Sequence, residues 1–266
     1  MGKIGLLAGD GSLPVEFVRS AKKRDDTAVV FAVRGMASPV LDEEADKVYW
    51  LNIGQLARFL FLLKKERIDR IAFLGKIRKE VIYGGETPDT EMRDFVARVK
   101  DKQDYSILRK ITDRLAKIGV TVIDTTAYLS ALLPEKGVLG RVPPDARLKG
   151  DMEFGFDTAK KLAGMDIGQT VIVKDRTIVA VEAMEGTDAA IDRGKSIAGA
   201  GCVMVKVSRP DQDMRWDIPT VGRETMAKLI ECKFSALAVE NGRLYLLHKQ
   251  ELLEMADSKG IAVVAL

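Results

Sequence analysis

The sequence predicts an α/β protein in two parts: an N-terminal doubly wound, Rossmann-like parallel sheet domain and a C-terminal mixed α/β domain. Three observations carry this reading. Short β-branched apolar runs alternate with segments of helical period through the first half. Proline and glycine then gather between residues 133 and 151. Beyond them, turn signals join strand-like runs too closely for parallel crossovers. A chain of 266 residues is also long for a single core. The N-terminal domain is therefore expected over 1–133, a linker over 134–150 and the C-terminal domain over 151–266.

The first strand is "KIGLLA", residues 3–8, followed by the helical "LPVEFVRSAKKR" and the strand "TAVVFAV". "KVYWL" reads as a short strand and "GQLARFLFLLKKER" as a helix whose apolar residues recur at helical spacing. "IDRIAFL" is the next strand, and "GKIRKEVIYGGETP" after it reads as a loop rich in glycine and charge. "DYSILRKITDRLAKIG" is a helix with Asp104 placed to cap it and Gly119 to stop it, leading into the strand "VTVID". Pro134, Pro143 and Pro144 interrupt regular structure. The second half opens with the helix "DMEFGFDTAKKLAG". The strands "QTVIVK" and "TIVAVEAM" follow, joined by the tight turn Asp175-Arg176. Next come the helix "AAIDRGKSIAG", the strand "CVMVKV", the helix "GRETMAKLIECK", the runs "ALAVE" and "RLYLLH", a helix and the strand "IAVVAL". Asn241-Gly242 between two apolar runs predicts a hairpin.

Composition narrows the function classes. Hydrophobic residues make up 47% and charged residues 30%, the balance of a folded globular chain. A net charge of +3 is too small for a strong nucleic-acid field. Cys202 and Cys232 sit in apolar surroundings without metal-ligand spacing, as buried thiols in a reducing compartment do. No stretch of about 18 apolar residues occurs, so a cytoplasmic protein that meets a membrane only at its surface is expected. His248 is the sole histidine, no serine lies in a nucleophile elbow, and no zinc-ligand set is present. Carboxylate chemistry with a hard cation remains.

Three segments could carry it. "AGDGSLP" lies between a strand and a helix, where backbone N–H groups can face phosphate, and Gly9, Gly11 and Ser12 are its candidate contacts. The alternative is a simple tight turn. Pro14 and Arg34 stand where a dinucleotide fingerprint needs a small residue and an acid, which counts against an NAD enzyme. In "VEAMEGTDAAIDRG", Glu182 is an acid inside an apolar run, costly to bury without a partner unless it lies on an exposed edge. Glu182 and Glu185 share a site only if the strand ends near Ala183. Thr187 or Asp188 has the alternative task of capping a helix. In "RPDQDMRWDIPTVG", residues 209–222, an extended chain sets Asp211, Asp213, Arg215 and Asp217 on one face and Met214, Trp216 and Ile218 on the other. Such a chain separates Asp213 from Asp217 by about 13 Å, too far to share one ion. Arg215 has the donor fork for phosphate, or pairs with its own aspartates.

Taken together, "AVEAMEGTDAAIDRG", "VKVSRPDQDMRWDIPTVG" and the N-terminal "GLLAGDGSLP" resemble the LpxI-type UDP-2,3-diacylglucosamine pyrophosphatases of lipid A biosynthesis, over nearly the whole chain. The resemblance implies a two-domain enzyme with substrate held between an N-terminal α/β domain and a C-terminal domain of different topology. It implies Mg²⁺-dependent hydrolysis, with Mn²⁺ as a substitute, of UDP-2,3-diacylglucosamine to UMP and 2,3-diacylglucosamine 1-phosphate, lipid X. The essential aspartate of the family maps to Asp217, at metal and water, with Arg215 on phosphate and Asp213 assisting. Glu182 and Asp188 are implied as further metal ligands, and Glu185, Gly186, Thr187, Lys206 and Gln212 as substrate contacts. A homodimer working at the inner membrane surface is implied as well. The rival readings are hydrolysis of another sugar nucleotide and a non-catalytic nucleotide-sugar or lipid-phosphate binding protein.

Overall fold

The computed structural model describes residues 2–77, 88–97 and 104–266, and the chain divides into two compact units. The first comprises Met1–Leu129 together with Met214–Asp217, and the second Ser130–Asp213 with Ile218–Leu266. No described helix is long and apolar enough to cross a membrane.

In the first unit, β1 (Lys3–Ala8), β2 (Thr27–Val33), β3 (Lys47–Leu51), β4 (Arg70–Leu74) and β5 (Thr121–Val122) form one sheet in the order β3-β2-β1-β4-β5. Every pair in it is parallel. This is the doubly wound layout expected from the alternating runs, with the strand order reversing between β1 and β4. β2 is buried from Ala28 to Val33, as a central parallel strand covered on both faces must be. The helix Leu13–Lys23 turns Val15, Phe17, Val18 and Ala21 inward, and Leu56–Lys65 turns Phe59, Leu62 and Leu63 inward. Phe31, Phe59, Leu63, Ile71 and Leu115 belong to one core cluster, which also holds Trp216. At the edge of the sheet Glu66 is nearly buried, and hydrogen bonds from Lys47 and then Tyr49 hold its carboxyl down at about 2.

The glycine- and charge-rich loop expected at 75–88 lies largely outside the described residues. A helix the sequence reading missed follows it, Thr90–Ala97. Its signal was Asp89, whose carboxylate accepts from Met92 N at 2.8 Å and also from Ala57 N at 2.8 Å. One side chain thus satisfies a first-turn donor of each of two helices.

The second unit has a sheet in the order β6-β13-β11-β9-β7-β8, built from β6 (Gly137–Val138), β13 (Ala262–Ala265), β11 (Ala236–Val239), β9 (Val203–Lys206), β7 (Thr170–Lys174) and β8 (Thr177–Val181). β9, β11 and β13 are parallel, while β6, β7 and β8 run against their neighbours, so the sheet is mixed as expected. Alternation along β9 sorts the two cores. Val203, Val205 and Val207 pack towards the cluster containing Met152 and Ala159. Cys202 and Met204 pack towards the cluster containing Ile191, Met226 and Leu229. The helix Ala146–Gly164 covers the first face at close range, because a Cβ on Gly155 would stand 2.6 Å from Val205 Cγ2. The helix Thr187–Ala198 covers the other face, and there a Cβ on Gly194 would stand 2.7 Å from Ile172 Cγ2.

Two expectations need correction here. Residues 134–150 are not linker throughout. β6 joins the sheet, and Asp145 caps a helix that starts at Ala146, its carboxylate accepting from Leu148 N at 2.7 Å. The hairpin at Asn241-Gly242 does not form. Both edges of β11 are taken by β9 and β13, so the following run, β12 (Tyr245–Leu246), pairs instead with β10 (Thr220–Val221). The hairpin at Asp175-Arg176 does form, with φ of 50° and 56° at its two turn residues. Asp151, wholly buried, accepts from Asp175 N at 3.1 Å and Arg176 N at 2.6 Å and fixes that turn to the helix. Asp151→Ala strands these donors and is expected to cost about 3 kcal/mol of unfolding free energy, with Asp151→Asn costing less because it keeps an acceptor. The shift of the urea midpoint measures both, and a midpoint unmoved by the alanine would show that the turn holds itself.

Candidate functional site

The alternation that sorts the two cores also places a charge. Lys206 ends β9 on the parity of Cys202 and Met204, so its side chain runs under the helix Thr187–Ala198. Thr170 lies opposite it in the β7–β9 pair and Glu182 follows β8, on the parity of Ala180. Lys206 is 9% exposed. Its Nζ donates to Thr187 Oγ1 at 2.9 Å, and Thr187 Oγ1 donates to Glu182 Oε1 at 2.5 Å. Burial pushes the Lys206 ammonium below its ordinary value, while the Glu182 and Asp188 carboxylates pull it back up. Thr170 Oγ1 is buried in the same layer without a hydrogen-bond partner.

The expected residues of the Glu-Gly-Thr-Asp element therefore separate in role. The strand ends at Val181, Glu182 N still donates to Thr170 O at 2.9 Å, and the chain turns at Met184 and Glu185. Glu182 is half-buried and hydrogen-bonded, which overturns its reading as a solvent-facing edge acid. Glu185 is exposed and pairs with Arg193 at 2.9 Å; backbone hydrogen bonding and that arginine draw its carboxyl down. Neither Thr187 nor Asp188 caps the helix. Gly186 takes the cap position at φ 87°, a conformation that suits glycine, and this frees the Thr187 hydroxyl for Glu182 and Lys206. Asp188 stands in the first turn, where the helix dipole favours a carboxylate. A small open cleft beside this layer is lined by Ile167, Gly168, Gln169, Glu182, Ala183 and Arg209.

The Gln-Asp-x-Arg-x-Asp-x-Pro element is not extended. It turns at Met214 and Arg215, and Asp217 has φ 51°, in the left-handed region. The separation reckoned for an extended Asp213–Asp217 strip therefore does not apply. Trp216 supplies the reason: it is 2% exposed within the core cluster of the first unit, and the chain must turn to sink it. The guanidinium of Arg215 lies over the Trp216 ring at 4.3 Å. Gln212 is buried in the second unit and accepts from Gln169 Nε2 at 3.4 Å. Asp213 is half-buried and Asp217 exposed.

In the first unit the glycine loop has a structural explanation at one position. The loops after β1 and β4 are pinned by an antiparallel bridge between Asp10 and Lys76, with Asp10 N donating to Lys76 O at 2.9 Å and Lys76 N to Asp10 O at 2.9 Å. A Cβ on Gly9 would stand 2.7 Å from Lys76 O, so Gly9 is required by backbone packing whatever else it does. Gly11, at φ 105°, borders open space. Ser12 occupies the cap position of Leu13–Lys23 but makes no side-chain cap hydrogen bond.

The expected metal ligands Asp217, Glu182 and Asp188 are not gathered in either unit. Asp217 belongs to the first and the other two to the second, and no group of three metal-ligating side chains forms among the described residues. Glu182 is linked to the Lys206 ammonium through the Thr187 hydroxyl. Sequence reasoning missed Thr170, Gln169, Ser208 and Glu240 around this layer. The one legible signal was Glu240, an acid directly after the apolar run of β11.

Because the folded ammonium of Lys206 titrates below its ordinary 10.5, the unfolded chain binds more protons in the alkaline range up to that value. Stability then rises with pH through that window and is lower beneath it. The difference in urea midpoint between the unmodified protein and Lys206→Met is expected to move in favour of the unmodified protein as pH rises towards 10.5. A difference independent of pH would mean that Lys206 titrates as it does in water.

Comparison with known proteins accords with this architecture. The LpxI N-terminal domain matches residues 3–132, and the LpxI C-terminal domain matches residues 135–264. The UDP-2,3-diacylglucosamine pyrophosphatase LpxI of Caulobacter vibrioides is 28% identical over 279 residues, spanning 99% of this chain and 97% of that protein. Among solved structures, a biotin carboxylase from Campylobacter jejuni, in a beta-gamma-ATP complex, covers 73% of this chain and 42% of its own at 14% identity, with a TM-score of 0.28 that supports no inference. Matched over both halves by the two domains of one family, the chain belongs to the LpxI family.

Proposed function

We propose that this protein hydrolyses the diphosphate of UDP-2,3-diacylglucosamine, giving UMP and 2,3-diacylglucosamine 1-phosphate, in lipid A biosynthesis. It is an enzyme, a hydrolase of phosphoric anhydrides. The observation that carries the reading is the end-to-end relation to a pyrophosphatase of that name, with both family domains present. The geometry supports it through Asp217, an exposed carboxylate in a left-handed backbone directly after a buried tryptophan. Non-glycine residues held in that region concentrate at functional sites.

Mg²⁺, with Mn²⁺ as a substitute, is assigned first to the exposed Asp217, since Glu182 already accepts from the Thr187 hydroxyl. One exposed carboxylate beside a diphosphate's oxygens is the donor set this hard cation takes. Bound there, it would neutralise the diphosphate and make phosphorus more electrophilic. The protein's own groups do the rest. Asp217 orients a water and accepts its proton, so that the water oxygen joins one phosphorus while the bridging oxygen leaves with the other. Arg215, whose guanidinium lies over the Trp216 ring, is assigned to the phosphate oxygens, and Asp213 assists. Lys206, Thr187 and Gly186 at the helix start, with Glu185 and Gln212, are assigned to substrate binding, as are Gly9, Gly11 and Ser12 in the first unit. The reading extends to a cytoplasmic homodimer that meets the inner membrane surface, where a diacylated substrate is held.

UMP release measured with Mg²⁺ tests the proposal. Asp217→Ala is expected to lower kcat by roughly 10²–10⁴-fold with little change in KM, and chelation of the metal to stop turnover until Mg²⁺ is restored. Undiminished turnover in the variant would sink the role of Asp217. Binding of the sugar nucleotide without UMP release by the unmodified protein would favour a binding protein instead.

A further inference from the structure

Between Lys206 and Asp213 the chain leaves a buried sheet, and its backbone groups must find partners as it does so. Ser208 is wholly buried at this exit. Its N–H donates to Glu240 Oε2 at 2.7 Å, and its hydroxyl donates to the same oxygen at 2.7 Å. Its carbonyl accepts from Lys160 Nζ at 3.0 Å. Lys160 also donates to the two Glu240 oxygens at 2.8 and 3.1 Å. Every polar group of Ser208 is thus held by one ion pair, whose side chains are only 23% and 14% exposed. Glu240 is in turn fixed to the site, since its N–H donates to the Lys206 carbonyl at 3.2 Å. Arg243 adds contacts to Ser208 Oγ at 3.4 Å and to the Pro210 carbonyl at 3.5 Å.

A half-buried ion pair of this kind contributes little net stability compared with apolar residues of the same size, because desolvation offsets most of the attraction. What distinguishes this pair is where its hydrogen bonds go. They converge on Ser208, in the segment by which the chain departs from Lys206 towards Gln212 and Asp213. We infer that Glu240 and Lys160 are positioning residues: their clamp on Ser208 fixes the path from the Lys206 ammonium to the Asp213 carboxylate within the second unit. The inference rests on the hydrolase reading for its kinetic consequence, but not for its structural one.

The test compares UMP release, thermal midpoint and amide hydrogen exchange over residues 207–213 in the unmodified protein, Glu240→Ala, Glu240→Gln and Asp151→Asn. Asp151 serves as control because it is another buried, hydrogen-bonded acid of the same unit, tied to a distant turn. Glu240→Ala is expected to lower kcat roughly 10²-fold, the scale of an ångström-sized misplacement, with KM nearly constant and exchange at 207–213 accelerated. Glu240→Gln retains an acceptor for the Ser208 N–H and is expected to recover part of kcat. Asp151→Asn is expected to lower the thermal midpoint and leave kcat alone. An unchanged kcat in Glu240→Ala, or an equal kcat loss in Asp151→Asn, overturns the positioning role. Should Glu240→Ala fail to fold, Glu240→Gln decides: reduced kcat with faster exchange supports the clamp, and unchanged values of both overturn it. If the unmodified protein releases no UMP, the hydrolase reading fails, and the exchange measurement alone decides whether Glu240 holds the segment.

Discussion

Much of the second unit can be derived from one constraint, that a lysine ends a strand buried on both faces. An ammonium removed from water is costly unless charge and hydrogen bonds meet it. β9 offers no choice of direction, because Val203 and Val205 must face one core and Met204 the other, and Lys206 takes the parity of Met204. Its charge therefore arrives beneath the start of a helix. A helix start alone would repel it, since the macrodipole is positive there. The compensation comes from Glu182 and Asp188, with the Thr187 hydroxyl as the intermediate between acid and base. Gly186 makes this arrangement available by capping the helix with its backbone alone.

The same constraint extends along the edge formed by the carboxyl ends of β9 and β11. Glu240 follows β11 as Lys206 ends β9, and the two are neighbours in the sheet ladder. Beyond that edge the backbone leaves the sheet but not the protein, so polar groups accumulate where no strand can satisfy them. Val207 N finds Gln169 O at 2.9 Å, Ser208 finds Glu240 and Lys160, and Arg209 Nε finds Asp166 at 2.8 Å. A run of hydrogen-bonded partners in consecutive residues leaves the segment few alternative paths. That is a different kind of order from the β10–β12 pairing that receives the chain after Pro219, where backbone groups satisfy one another.

The sequence conveyed the sheets because strand identity here is a matter of local pattern. "TAVVFAV" and "CVMVKV" are apolar beyond what a helix face or a loop could use, and Asp175-Arg176 is short enough to force antiparallel neighbours. The failures share a cause, which is competition from partners distant in sequence. Asn241-Gly242 has hairpin chemistry, but β11 has no vacant edge to receive the returning strand. Thr187 and Asp188 have capping side chains, but Gly186 precedes them and Glu182 claims the threonine. Period-2 reasoning put Trp216 on the apolar side of its strip, where it is indeed buried, yet misjudged the strip's shape. Alternation describes a chain that stays extended, and burial of a large ring at one position can bend it.

Magnitudes decide why the bend is stable. Holding Asp217 in the left-handed region costs on the order of 1–3 kcal/mol, a sum that a short polar loop cannot easily supply by itself. An indole buried as completely as Trp216 removes roughly 150–250 Å² from water, or about 4–6 kcal/mol at 25 cal/mol per Å². The ring wins, and the aspartate next to it is carried into a conformation it would not choose. Arg215 reinforces the outcome by lying across the same ring. The carboxylate at Asp217 is thus presented to solvent by a neighbour that is not, and an aspartate suits the position because its short polar side chain tolerates a positive φ better than most. Asparagine would tolerate the backbone equally well while lacking the charge, so that the conformation by itself does not account for an acid at this position. What an acid adds there is a negative charge on an exposed side chain.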